Sequence, residues 1–208
     1  LIAEMGVNFY DTARVKNISP LAAAKLYIDA AAEAGIDCAK FQSYKAGTIV
    51  SKNSPAYWDT TKEPTKTQYE LFLKHDHVGE AEYRELCEYT HAKGMDFTST
   101  PFDYASADYL EDMVDFYKIS SSDLSNLPFI RHIGAKGKPV YMSVGAAYLS
   151  EVDEAVRALK EVGCKDIVIF HCVLSYPTAP ENANLRIIET LKKDFPDAMH
   201  TALAEGIV

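Results

Sequence analysis

The chain has 208 residues, 48% of them apolar and 25% charged, a composition that supports a buried core and excludes intrinsic disorder. Its formal net charge of -9, with no Lys/Arg cluster interleaved with aromatic residues, argues against binding of nucleic acid or other polyanions. No apolar run approaches the ~20 residues that cross a bilayer, and the N-terminus shows no signal-peptide pattern, so no membrane association and a cytoplasmic location are expected.

Apolar and β-branched runs alternate with amphipathic segments along the whole chain. The first run, Leu1 to Glu4, reads as a strand and is followed by a long loop from Asn8 to Ser19. Ser19 suits a helix N-cap, with Pro20 at the first helical position, an Ala-rich helix from Leu21 to Ala34 and Gly35 ending it. A second strand is expected from Asp37 to Phe41. The polar and aromatic stretch Ala46 to Gln68 then breaks the rhythm, and it reads equally as a lid or as a surface insertion.

A helix from Glu80 to Lys93, closed by Gly94, leads to a third strand from Asp96 to Ser99. Strands from Asp115 to Ile119 and from Pro139 to Ser143 follow. A helix from Ser150 to Val162 is closed by Gly163 before the strand Asp166 to His171, and a last helix from Asn184 to Phe195 is stopped by Pro196. Such alternation demands parallel strands with helical crossovers. No G-x-G-x-x-G or G-x-x-x-x-G-K-[ST] motif follows a strand, so an α/β (β/α)8 TIM barrel is preferred over an open doubly wound sheet. Six βα units are readable, with the last two strands of eight missing or incomplete, in one barrel-type catalytic domain over residues 1–208.

In a barrel, chemistry is done at the C-terminal ends of the strands. Those ends carry Glu4; Lys40 and Gln42; Ser99 and Thr100; Lys118, Ser120, Ser121 and Asp123; Ser143; and His171 with Tyr176. Lys40 and Lys118 lie inside apolar strand runs, where an ammonium without an anion is costly. A structural carboxylate such as Glu4 or Asp123 would satisfy either one. Two such lysines beside the hydroxyls of Thr100, Ser121 and Ser143 favour a small phosphate- or carboxylate-bearing ligand. A Schiff-base aldolase built on either lysine is an alternative, as is a non-catalytic anion-binding barrel. The four cysteines, Cys38, Cys87, Cys164 and Cys172, are widely spaced and are expected to be buried reduced thiols; adjacency on a strand separates Cys172 from His171.

In order along the chain come Ile2-Ala3-Glu4-Met5-Gly6-Val7-Asn8, Ala39-Lys40-Phe41-Gln42-Ser43, Ser99-Thr100-Pro101-Phe102-Asp103, Tyr117-Lys118-Ile119-Ser120-Ser121-Ser122-Asp123, Gly137-Lys138-Pro139 leading to Ser143-Val144-Gly145, and His171-Cys172 with Tyr176-Pro177. This series resembles the catalytic barrel of the sialic acid (N-acetylneuraminate) synthase family, which includes legionaminic and pseudaminic acid synthases. The resemblance implies condensation of phosphoenolpyruvate with N-acetylmannosamine or a related acetamido sugar. It implies that Lys40, Thr100, Lys118, Ser121 and Ser143 hold phosphoenolpyruvate, that Gln42, Asp123 and Tyr176 lie near the sugar, and that Glu4 handles a proton or orients water. It further implies a divalent metal, Mn2+ or Mg2+, and a homodimer of the full-length protein.

The series departs from the family at three places. Where the family carries Gly-x-Ser-Asp-His-Thr after Phe-Pro-Asp, this chain reads Asp197-Ala198-Met199-His200-Thr201, which leaves His200 as the candidate metal ligand. The usual Ser-Thr-Gly reads Ser143-Val144-Gly145, and an asparagine after His-Cys reads Leu174. The family's second histidine ligand and its C-terminal antifreeze-like domain have no counterpart within the 208 residues.

Overall fold

The computed structural model describes residues 1–145, 147–175 and 178–202, without the side chains of 200–202. Two compact units are formed, Leu1–Val114 and Asp115–Val208.

In the first unit, β1 (Ile2–Gly6) is followed by α1 (Phe9–Lys16), so the expected Asn8 to Ser19 loop is in fact largely helical. Phe9, Tyr10 and Ala13 bury one side of this short helix, and Asn17 ends it in the left-handed conformation, a role asparagine tolerates well. Helix α2 (Pro20–Glu33) begins as its sequence indicates: the Ser19 hydroxyl accepts from the Ala22 amide at 3.1 Å, and Ala23, Ala24, Ile28 and Ala31 form the buried stripe. Strand β2 (Cys38–Ser43) follows. The long connection after it contains α3 (Ala46–Ile49) and α4 (Gln68–Leu73), joined by a hairpin-like excursion. That excursion is internally bonded: Pro55 pairs antiparallel with Thr67, the Trp58 indole donates to the Glu63 carbonyl at 3.1 Å, and Lys74 pairs with Glu63 at 2.7 Å. Helix α5 (Glu80–Ala92), β3 (Asp96–Pro101) and α6 (Tyr104–Tyr109) complete the unit.

These strands form a parallel sheet in the order β1-β2-β3, with Glu4 beside Lys40, Lys40 beside Thr98, and Gln42 beside Thr100. Side chains alternate faces along a strand, so the sheet has two chemically distinct sides. Phe41 and Phe97 meet at 5.8 Å on one side, and Phe9 of α1 and Tyr83 of α5 pack against Phe41 at 5.9 and 6.4 Å. Glu4, Lys40, Gln42, Thr98 and Thr100 share the other side.

In the second unit, β4 (Tyr117–Ile119), α7 (Leu127–Gly134), β5 (Val140–Ser143), α8 (Leu149–Glu161), β6 (Ile167–His171), α9 (Ile187–Asp194) and β7 (Met199–Ala202) alternate. Their parallel sheet runs β4-β5-β6-β7. Helices α7 and α8 pack so closely that a Cβ on Gly134 would stand 2.8 Å from Leu159. Helix α9 starts later than the expected Asn184, because Asn184 has φ +45°, outside the right-handed helical region.

Seven strands are therefore present among the described residues, one more than the six readable in the sequence. The extra strand, β7, reads Met-His-Thr-Ala, and its polar residues His200 and Thr201 keep it from registering as an apolar run.

Asp103 has a structural role hidden in its motif. Its carboxylate caps α6 through the Ser106 amide at 2.6 Å and also accepts from the Lys45 amide at 3.2 Å and from the Thr48 hydroxyl. It thereby ties the end of β3 to the start of the long connection after β2. Asp103→Ala is expected to cost about 2 kcal/mol, the sum of a lost N-cap and an orphaned amide, measured by urea denaturation; Asp103→Asn should retain part of this.

Candidate active site

In the first unit, the polar side of the sheet is organised around a buried charge. Lys40 is only 2% exposed, and its ammonium forms an ion pair with Oε2 of Glu4 from the neighbouring strand. Adjacent register makes this pairing a direct consequence of parallel strand alignment. Glu4 Oε1 is buried and has no hydrogen-bond partner among the described residues. Gly6, at φ +51°, follows a bulge in β1, and a Cβ there would stand 3.1 Å from Glu4 Oε1 and 3.5 Å from the Gln42 amide nitrogen. The glycine thus leaves room for Glu4 and Gln42 to come close together. Thr100, beside Gln42 and 3% exposed, adds a hydroxyl to the same side. Ser99 points the other way and bonds Ser43 at 2.6 Å.

In the second unit, the strand ends enclose a cavity of about 230 Å³. Lys118 and residues 120–122 come from the end of β4, Ser143 and Gly145 from the end of β5, and residues 172–174 from the turn after β6. Lys118 is 3% exposed; its ammonium donates to the Ile119 carbonyl at 3.3 Å and lies 5.9 Å from the centre of the Phe170 ring. Ser121 accepts from the Gly145 amide at 3.0 Å, which turns its own proton toward other acceptors. Ser143 is 2% exposed, and its hydroxyl has no hydrogen-bond partner among the described residues. A buried hydroxyl at a cavity wall is costly unless a ligand or water completes it.

Asp123 follows these residues on a 3₁₀ turn, Ser121–Asp123, where the Ser122 hydroxyl donates to it at 3.4 Å. Burial pushes its carboxyl up from 3.8 to about 6, against the smaller opposing effect of Ser122. A group of that strength can hold or release a proton near neutrality. Tyr176 lies outside the described residues. His200 is on β7 beside Ile169 in register, with its side chain outside the described residues.

One expectation is overturned. Cys38, Cys87 and Cys164 are buried, but Cys172 is only half-buried and forms part of the cavity wall. It lies two residues beyond Phe170, so strand alternation carries it to the side of Ser143 rather than into the core. His171, on the opposite side, has Nε2 2.8 Å from the Ala183 carbonyl oxygen.

Residues 27–201 match the NeuB family. An archaeal protein from Methanocaldococcus jannaschii is 40% identical over 172 residues, which are 82% of this chain and 47% of that protein. The N,N'-diacetyllegionaminic acid synthase of Legionella pneumophila is 33% identical over 94% of this chain and 54% of its own length. The crystal structure of N-acetylneuraminic acid (sialic acid) synthetase from Leptospira borgpetersenii in complex with citrate superimposes with a TM-score of 0.79 and 27% identity, covering 97% of this chain and 71% of that one. An α/β fold with parallel strands, shared with this synthetase, is thereby established. The chain belongs to the NeuB family. It spans about half the length of the curated relatives it matches.

Two consequences can be measured. Asp123 holds its proton more tightly folded than unfolded, so its stabilising contribution is complete below pH 3.8 and is lost as pH rises through about 6. Asp123→Asn is therefore expected to gain stability relative to the parent protein as pH is raised across that interval, read from urea midpoints at each pH. A Cβ at Gly145 would stand 2.7 Å from Cys172 Cβ, so Gly145→Ala should displace the turn after β6. A midpoint equal to that of the parent protein would contradict this packing.

Proposed function

We propose that this chain is the barrel-type catalytic domain of a synthase that condenses phosphoenolpyruvate with N-acetylmannosamine or a related acetamido sugar, forming a nonulosonic acid and releasing phosphate. The observation that carries the reading is the Ser143 hydroxyl: buried and without a hydrogen-bond partner among the described residues, it lines a cavity that also holds Lys118 and Ser121. Such a set suits the oxygens of a small phosphorylated acid. Family membership supports the same reaction class. A closed (β/α)8 barrel, a homodimer of the full-length protein and a cytoplasmic location belong to this reading.

In the reaction, C3 of the enol phosphate attacks the sugar aldehyde. Water then adds at C2, and phosphate departs by C–O cleavage from the tetrahedral intermediate. Lys118, Ser121 and Ser143 would stabilise the charge that accumulates on phosphate. Lys40 and Thr100 would bind further oxygens of the same ligand, while Gln42, Asp123 and Tyr176 would face the sugar. Glu4, whose Oε1 has no hydrogen-bond partner among the described residues, would take a proton or orient the water.

A divalent metal, Mn2+ or Mg2+, is expected to polarise the sugar carbonyl when bound. Among the described residues no group of three or more His, Cys, Asp or Glu side chains is placed to hold one. The Lys40 amine is held in an ion pair with Glu4, an arrangement that suits charge balance better than the attack on a carbonyl required by the alternative Schiff-base chemistry.

Incubation of the protein with phosphoenolpyruvate, Mn2+ and N-acetylmannosamine or a 2,4-diacetamido sugar should release phosphate only when both substrates are present. Lys118→Met should lower kcat/KM by about 100-fold or more. Binding of phosphoenolpyruvate without turnover on any such sugar would favour the non-catalytic anion-binding barrel, and trapping by borohydride with a carbonyl substrate would favour the aldolase.

A further inference from the structure

Cys172 stands apart from the other three thiols. Cys38, Cys87 and Cys164 are buried, at 2%, 7% and 6% exposure, whereas Cys172 is half-buried on the wall of the cavity that holds Lys118 and Ser143. The thiol is positioned from two directions. Its Sγ donates to the Phe170 carbonyl at 3.5 Å, and Gly145 approaches so closely that no side chain could stand between them. Ser143 supplies an independent sign of a ligand at this wall, because its buried hydroxyl has no hydrogen-bond partner among the described residues.

We propose that Cys172 is a modification site directed by charge: the Lys118 ammonium and the cavity hydroxyls draw small carboxylate-bearing electrophiles onto its thiol. The inference rests on the anion-binding reading of this cavity. With iodoacetate as the probe, the thiolate sulfur attacks the methylene carbon, a C–S bond forms as the C–I bond breaks, iodide leaves and the thiol proton passes to solvent. The S-carboxymethyl group then occupies the space meant for the anionic substrate.

Exposure alone would also make Cys172 the first thiol to react, so the test must separate charge from access. Iodoacetate and its neutral analogue iodoacetamide share a leaving group and differ in charge. The ratio of their rates at Cys172, measured by mass spectrometry of the modified peptide, cancels both exposure and the fraction of thiolate. The same ratio for glutathione is the reference. The protein's net charge of -9 repels anions and by itself would push the ratio below that reference.

The expected ratio is about tenfold or more above that of glutathione, the lower end of what local charge focusing achieves. Millimolar inorganic phosphate should return it to the glutathione value in the unmodified protein, and Lys118→Met should do the same. Phosphate binding is measured separately by calorimetry. A ratio at or below the reference in a protein that binds phosphate overturns the proposal and leaves the anion-binding reading standing. A raised ratio that phosphate does not lower also overturns it. Absence of both phosphate binding and anionic preference removes the two together.

Discussion

The structure depends most on the cost of placing an ammonium group inside a sheet. Lys40 and Lys118 occupy strand positions at 2% and 3% exposure, and a charge so far from water must be met by local groups. In the first unit that group is the Glu4 carboxylate, delivered by strand register. In the second unit Lys118 donates to a backbone carbonyl and stands over the Phe170 ring, at a strand end that opens on a cavity. Similar lysines are thus accommodated by different surroundings, and the chemistry available at each follows from that difference.

Backbone proximity shapes both places. Gly6 leaves space beside the Glu4 carboxylate and the Gln42 amide, and Gly145 lets the turn after β6 close against the end of β5. Neither glycine contributes a functional group. What each supplies is the missing Cβ, without which the neighbouring polar atoms reach their positions. Asp103 acts in the same supporting sense, capping α6 through Ser106 and tying the end of β3 to the segment after β2 through two further hydrogen bonds, from Lys45 and Thr48.

Membership of the NeuB family, with a match over residues 27–201, accords with the order of the motifs along the strands. Leu174, 73% exposed, lines the cavity, and Val144, between the lining residues Ser143 and Gly145, has its amide bonded to the Phe170 carbonyl at 3.1 Å. An apolar side chain therefore stands at the rim of a cavity that Lys118 and Ser143 also line.

Much of this was legible in the residues alone, because strand and helix periods are local properties. The six strands other than β7, the Ser19-capped helix and the position of Ser143 at the end of β5 follow from alternation, capping and glycine stops within a few residues of each site, whereas β1 and β2 run on past Glu4 and Lys40 to Gly6 and Ser43. The short helix α1 and the four-residue β7 escaped notice, since each carries too few apolar positions to establish a period and is held by its neighbours. The position of Cys172 on a cavity wall, the pairing of Lys40 with Glu4 rather than another anion, and the tie from Asp103 to Lys45 were decided only by tertiary structure. Each of these joins residues 27 to 58 positions apart in the chain, and no local pattern records which distant partner the register will bring alongside.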